Sequence, residues 1–265
     1  MNLNGLRVLN TRPLEQGLAL TKAINKANGV SIELPALTIL PTSDNWLDDF
    51  LNYQQTIIER DKKLQLHNIH QAIFISANAV NYFYQKLKEH SLSWPSTIKI
   101  TAIGKASAEA LLKWNIEVDN LPKIANSLNL LKLSNLQQIT NQNILLIKGE
   151  DGLDVIASNL IKRGANLISL AVYKRVTPKI SLQQIQSIWH DDKVDIIIFT
   201  SQQAMQNIFK LFDAKGKDWL INKPCLVISE RLADFAKKLG VKRVIVSPYD
   251  MILNTLEQYV GQNKG

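Results

Sequence analysis

The chain has 265 residues, 46% hydrophobic and 20% charged, a composition that excludes a disordered chain and leaves room for one large domain or two modest ones. Its single cysteine, Cys225, excludes an intrachain disulfide and a multi-cysteine metal site, and no apolar run reaches the roughly 18 residues that span a bilayer. The net charge of +8 is spread without a dense block of like charge, which favours a small polyanion over nucleic acid as partner.

The elements follow in chain order. Leu6 to Asn10 reads as a short strand, Thr11-Arg12-Pro13 as a turn, and Leu14 to Ala27 as a helix with Leu20, Ala23, Ile24 and Ala27 mostly on one face. Gly29 supplies a helix stop, and Val30 to Leu34 is the next strand. This β-α-β phrase is the unit of a parallel sheet. Asn45 to Leu66 reads as an amphipathic helix carrying Trp46, Leu47 and Phe50. Ala72 to Ser76 is an apolar strand that breaks into a helix at Ala77-Asn78-Ala79-Val80. Thr101 to Gly104 leads to a helix through Ala108, then to a short strand at Ile116-Glu117-Val118.

The opening phrase recurs from Asn143 to Pro178. Ile144 to Ile147 is its strand, Lys148 to Gly152 its turn, Leu153 to Arg163 its helix, and Leu167 to Tyr173 the next strand. The second phrase recurs as well. Phe74 and Phe199 lie 125 positions apart, as do Ala108 and Ala233. Ile197 to Ser201 enters a helix at Gln202. Leu226 to Ser229 enters another, followed by a strand at Arg243 to Val246. Two copies are too few for a solenoid. The expected fold class is therefore α/β, with two doubly wound parallel-sheet domains of similar plan. Strands covered on both faces account for the continuous apolar runs.

Two divisions of the chain fit this repeat. A linear one cuts in the polar stretch near residue 140. A crossed one places 1–36 with 177–265 in the first domain and 38–174 in the second, with linkers near 35–38 and 173–178. The crossed division is the expectation, because Leu34-Pro35-Ala36-Leu37 and Val172 to Pro178 are proline-marked extended segments at matched places.

Ser76 and Ser201 stand where strands feed helix N-termini. Free backbone N–H groups there attract carboxylates, and a hydroxyl adds a donor; the plainer reading is that Ser76, Thr200 and Ser201 cap their helices. Tyr173 near the end of its strand, beside Lys174 and Arg175, is either a half-buried edge residue or a proton donor. Lys148-Gly149-Glu150-Asp151-Gly152 lacks the order of a phosphate-binding loop and reads as a turn into a helix. His67 and His70 lack further ligands and read as a solvated pair, and Cys225 as a core residue. Ser229-Glu230-Arg231 opens a helix, with Arg231 as an alternative anion contact.

These motifs, in order, resemble the uroporphyrinogen-III synthase family. The resemblance rests on Phe74-Ile75-Ser76-Ala77-Asn78-Ala79-Val80, Ala102-Ile103-Gly104-Lys105, Lys148-Gly149-Glu150 with Arg163-Gly164-Ala165, Tyr173-Lys174-Arg175-Val176-Thr177-Pro178, Phe199-Thr200-Ser201 and Ser229-Glu230-Arg231-Leu232-Ala233. Departures are Ile75 in place of a usual threonine, Lys148 and Leu153 where many members carry arginine, and a longer helix at 45–66.

The resemblance implies two domains joined by a two-stranded linker, with the active site between them. It implies a cyclising lyase that converts hydroxymethylbilane to uroporphyrinogen III in heme biosynthesis, with loss of water and inversion of ring D. Tyr173 is the implied catalytic residue. Ser76, Ala77, Asn78, Lys105, Lys148, Thr200, Ser201, Gln202, Ser229 and Arg231 are the implied substrate contacts. No metal or organic cofactor is implied. The partners implied are an anionic linear tetrapyrrole and, transiently, the enzyme that makes it, with neither nucleic acid nor membrane. No signal sequence is visible in Met1 to Leu6, so a cytoplasmic location is expected. The competing reading is a non-catalytic two-domain binder of a small polyanion; a nucleic-acid binder rests on charge alone.

Overall fold

The computed structural model describes residues 1–43, 46–47, 69–151 and 154–262. Ten strands run through them: β1 Arg7–Asn10, β2 Val30–Glu33, β3 Thr38–Pro41, β4 Gln71–Phe74, β5 Lys99–Ala102, β6 Asn143–Gly149, β7 Asn166–Val176, β8 Ile196–Phe199, β9 Cys225–Val227 and β10 Val244–Val246. They form two five-stranded sheets, ordered β10-β9-β8-β1-β2 and β3-β7-β6-β4-β5. The chain divides into two compact units, Met1–Thr38 with Val176–Gly265, and Ile39–Arg175.

In the first unit, β1 is flanked by β2 and β8, with Leu9 opposite both Ile32 and Ile197. All four strand pairings in this sheet are parallel. Side chains alternate across a strand, so each sheet face must find its own cover. Leu9, Ile197, Phe199, Cys225 and Val227 pack on one side with Ile185, Met205 and Ala233. Val8, Ile196, Ile198 and Leu226 pack on the other with Leu20, Ile24 and Leu256. Burial on both faces is why β8 reads Ile-Ile-Ile-Phe without a polar break. Burial also pushes the Cys225 thiol up to about 12, leaving it a core group and not a nucleophile.

The second unit repeats the plan. Ala72, Phe74, Ile100, Leu145 and Ile147 meet Val80, Phe83, Tyr84 and Leu111 on one face. Ile73, Ile144 and Leu146 meet Leu130, Ile156 and Leu160 on the other. The helix expected from Asn45 to Leu66 lies outside the described residues, except for Trp46 and Leu47. Trp46 stacks on Phe83 at 5.6 Å between ring centres. His67 also lies outside the described residues, while the ring of His70 accepts the Asn143 backbone N–H at 3.0 Å.

One expected strand does not form. Ile116-Glu117-Val118 runs as irregular chain, with a single bridge between Thr101 and Asn120. The reason is local competition: the Asp119 carboxylate accepts the Ile100 backbone N–H at 2.7 Å, the donor that a strand alongside β5 would use. Conversely, β3 was not foreseen. The linker after Leu37 continues as a strand beside β7, and Thr42 donates its backbone N–H to Val172. Among the described residues no helix is long and apolar enough to cross a membrane, and no cluster of three metal-ligating side chains forms.

Residues distant in sequence are tied together in the first unit by Arg7 and Asp195. The carboxylate accepts the Arg7 backbone N–H at 2.8 Å and its Nε at 3.1 Å. Burial alone would raise the Asp195 pKa, but the hydrogen bonds and charge of Arg7 together hold it below the ordinary 3.8. A depressed carboxylate pKa adds stability above the ordinary value, lost as pH falls through the folded-state value. Asp195→Asn should therefore destabilise the protein by about 1 kcal/mol at pH 7, after discounting for the partial exposure of the pair. The difference from the parent should shrink as pH falls below 3.8. Urea unfolding across that pH range checks this; a constant difference would contradict it.

Candidate functional site

In each unit the polar side chains singled out above gather where parallel strands end and helices begin. That edge exposes helix N–H groups without internal partners, and open α/β sheets bind ligands there.

In the second unit, β4 ends at Phe74 and the helix Ala77–Glu89 begins three residues later. Ser76 is its N-cap, extended at φ −164°, and its Oγ accepts the Ala79 N–H at 3.0 Å. Its hydroxyl then donates to the Tyr173 phenol at 3.2 Å. The capping reading and the functional one are thus compatible, because a hydroxyl accepts and donates at once.

Tyr173 is 3% exposed, on β7 opposite Gly149 of β6. A bulge between Lys148 and Gly149 shifts the register at this point. The ring occupies the space that a side chain at Gly149 would need: an added Cβ would lie 2.6 Å from Tyr173 Cζ and 3.0 Å from its hydroxyl. Tyr82 stacks on the ring at 6.0 Å between centres. Arg175, two residues on and hence on the same face of the strand, donates Nη2 to the phenol oxygen at 3.1 Å. The phenol oxygen therefore accepts from Ser76 and Arg175 together, and neither bond uses its own hydrogen.

The remaining predicted contacts of this unit differ among themselves. Ala77 and Asn78 occupy the first turn after Ser76 and are half-buried. Lys148 is largely buried, and its ammonium meets the Asp154 carboxylate at 2.6 Å, so its charge is neutralised within the chain. Lys105 opens the helix Lys105–Lys113 with its side chain 89% exposed, 3.7 Å from Glu109. Gly152 and Leu153 lie outside the described residues.

The first unit repeats the device. Ser201 caps the helix Gln202–Leu211 by accepting the Ala204 N–H at 3.1 Å, with Thr200 and Gln202 half-buried beside it. Ser229 caps the helix Glu230–Lys238 in the same way, accepting from Leu232 at 3.4 Å. Arg231 is exposed. Among these residues, Ser76 and Tyr173 are brought into direct contact. Sequence reasoning did not foresee the seating role of Gly149 or the bond from Arg175. The two-residue spacing of Tyr173 and Arg175 on a strand was the available signal.

Comparison with known proteins bears on all of this. The family model described as Uroporphyrinogen-III synthase HemD matches residues 19–251. A uroporphyrinogen-III synthase of Salmonella typhimurium is 26% identical over 246 residues, covering 91% of this chain and 95% of its own. One from Escherichia coli is 25% identical over 244 residues, with the same coverages. Among solved structures, a mutant uroporphyrinogen III synthase from Thermus thermophilus superposes with a TM-score of 0.64 at 16% identity, covering 97% of this chain and 98% of that one. A uroporphyrinogen-III synthetase from Helicobacter pylori gives 0.60 at 14%, covering 97% and 99%. The structural likeness extends to the two-sheet α/β fold, and the sequence match runs through both units; the chain belongs to the uroporphyrinogen-III synthase family.

Proposed function

We propose that this protein cyclises hydroxymethylbilane to uroporphyrinogen III, and that Tyr173 acts on the departing hydroxyl. The observation that carries the role of Tyr173 is its phenol oxygen, which accepts from Ser76 and Arg175 and so keeps its proton for an outgoing bond. Donors onto an oxygen strengthen it as a donor in turn. The phenol gives its proton to the terminal hydroxyl, which leaves as water, and the pyrrole electrons form an azafulvene cation. Ring D attacks through its substituted carbon to give a spiro intermediate. That intermediate fragments and recloses with ring D inverted, and the ring proton released at the end returns to the phenolate. Substrate thus becomes product plus water, and the reaction belongs to heme biosynthesis.

Holding the chain is the larger task, because the unassisted reaction gives the uninverted isomer. The backbone amides after Ser76, Ser201 and Ser229, with Ala77, Asn78, Thr200 and Gln202, are the proposed carboxylate contacts. Lys105 and Arg231 are solvent-facing charges that draw the anion in. Lys148 acts at most through Asp154, its ion partner. The proposed working domains are 1–36 with 177–265, and 38–174; the pairing of β1 with β8 in one sheet supports this. A cytoplasmic setting and transient contact with the bilane-forming enzyme belong to the same reading, since a bilane left free closes unassisted.

Incubation with freshly made hydroxymethylbilane tests the proposal. Type III product supports it, and a type I product equal to the enzyme-free control refutes it. Tyr173→Phe should slow type III formation roughly tenfold to a hundredfold, at the low end of positioned proton transfer because water can substitute. The isomer ratio should stay unchanged. Full activity in that variant would remove Tyr173 from the chemistry. Gly149→Ala should cost about 1–3 kcal/mol of stability by overpacking and slow turnover as well. The stability cost should largely vanish when Tyr173→Leu is present, because the three atoms nearest to the added methyl group all belong to Tyr173. An equal loss in both backgrounds would show that the glycine serves another purpose.

A further inference from the structure

Arg12 sits in the turn between β1 and the helix Leu14–Lys26. It is half-buried. Its Nε donates to the Gln16 backbone oxygen at 3.1 Å, and its guanidinium lies over the Tyr249 ring at 4.7 Å. Among the described residues no carboxylate pairs with it. Arg7 has Asp195, the Nη1 of Arg163 has two carbonyl oxygens, and Arg175 has a phenol. Among the described residues neither terminal nitrogen of Arg12 has an acceptor, and both reach solvent.

This is a costly arrangement for a cation. Burial pushes the guanidinium below its ordinary value, opposed only by Tyr249. Arginine does not escape by losing its proton, and even partial desolvation of a charge is unfavourable. The aromatic face offsets part of that cost while fixing the plane of the fork. What remains is a planar pair of N–H donors, pre-oriented and unoccupied, which matches a carboxylate.

Its position completes the case. Asn10 pairs with Ile198, so Arg12 and Thr200 each follow two residues later, at the edge where these neighbouring parallel strands end. The Thr11 hydroxyl locks this junction by donating to the Ile198 oxygen at 2.6 Å. The turn after β10 carries Tyr249 to the same edge.

We infer that Arg12, backed by Tyr249, is a carboxylate-binding site at the strand-end edge of the first unit. The inference rests on the proposed reading in taking the carboxylates to be those of a linear tetrapyrrole. The site binds without reacting, so it holds substrate and transition state alike and governs KM more than kcat.

Titration with uroporphyrin III, followed by quenching of tryptophan fluorescence, separates this inference from the enzymatic reading. Arg12→Gln should bind roughly tenfold to a hundredfold more weakly than the parent, and Arg12→Lys should recover part of the loss. Tm should not fall, because among the described residues the replaced charge has no ionic partner. In the turnover assay Arg12→Gln should raise KM by a similar factor, with kcat within about twofold and the type III isomer retained. Equal binding by parent and Arg12→Gln overturns the inference, as does absence of binding by both. Weak binding that tracks a lowered Tm, without rescue by lysine, assigns Arg12 a structural role and also overturns it. A parent that binds uroporphyrin III through Arg12 yet yields type I product would leave this site standing and refute the enzymatic proposal.

Discussion

Two-sided burial of short parallel strands governs the rest of this protein. β8 and β4 have no exposed face, and every side chain in them is buried. A polar group placed there would need its own buried partner. The few polar side chains inside the sheets are paired, as Gln71 is with Asn135 and Gln142, and the remaining polar chemistry lies at the edges. At the carboxyl edge the chain turns directly into helices whose first N–H groups lack partners. Ser76, Ser201 and Ser229 each satisfy one of those donors and leave the others facing outward.

The same constraint explains the setting of Tyr173. Its ring is buried, so its hydroxyl requires partners, and Ser76 and Arg175 provide them. The ring fits because the opposite residue on β6 has no side chain. One glycine, one strand bulge and one capping serine thus fix the direction of a single phenol. Arg12 is the counterpart: an aromatic face and one carbonyl hold it in place, and among the described residues its fork meets no acceptor.

The α/β class and both strand-end turns were legible because continuous apolar runs ending in Ser, followed by helical periodicity, have few other readings. Ser76 stood out for the same reason, and Tyr173 for its place near the end of an apolar strand beside Lys174 and Arg175. Their contact was not legible, since it joins residues 97 positions apart. β3 escaped notice because a strand held by one neighbour needs little hydrophobic pattern, and its last residue is Pro41. Ile116 to Val118 misled for the opposite reason: its apolar alternation suits a strand, yet the Asp119 side chain takes the donor such a strand needs. Lys148, expected as a substrate contact, is paired through a turn of the chain, while Arg12, read as a turn residue, meets no carboxylate among the described residues.

The central claim is that anion recognition belongs to the carboxyl edges of the strands. The amino edge of the second sheet offers a rival surface, a polar groove of about 360 Å³ lined by residues including His70, Gln71, Lys99 and Gln142. Backbone amide chemical shifts followed during titration with uroporphyrin III decide between them. The account predicts the largest changes at residues 77–79 and 202–204, in the first turns after Ser76 and Ser201. Changes confined to residues 70–71 and 142, with the strand-end turns unmoved, would contradict it.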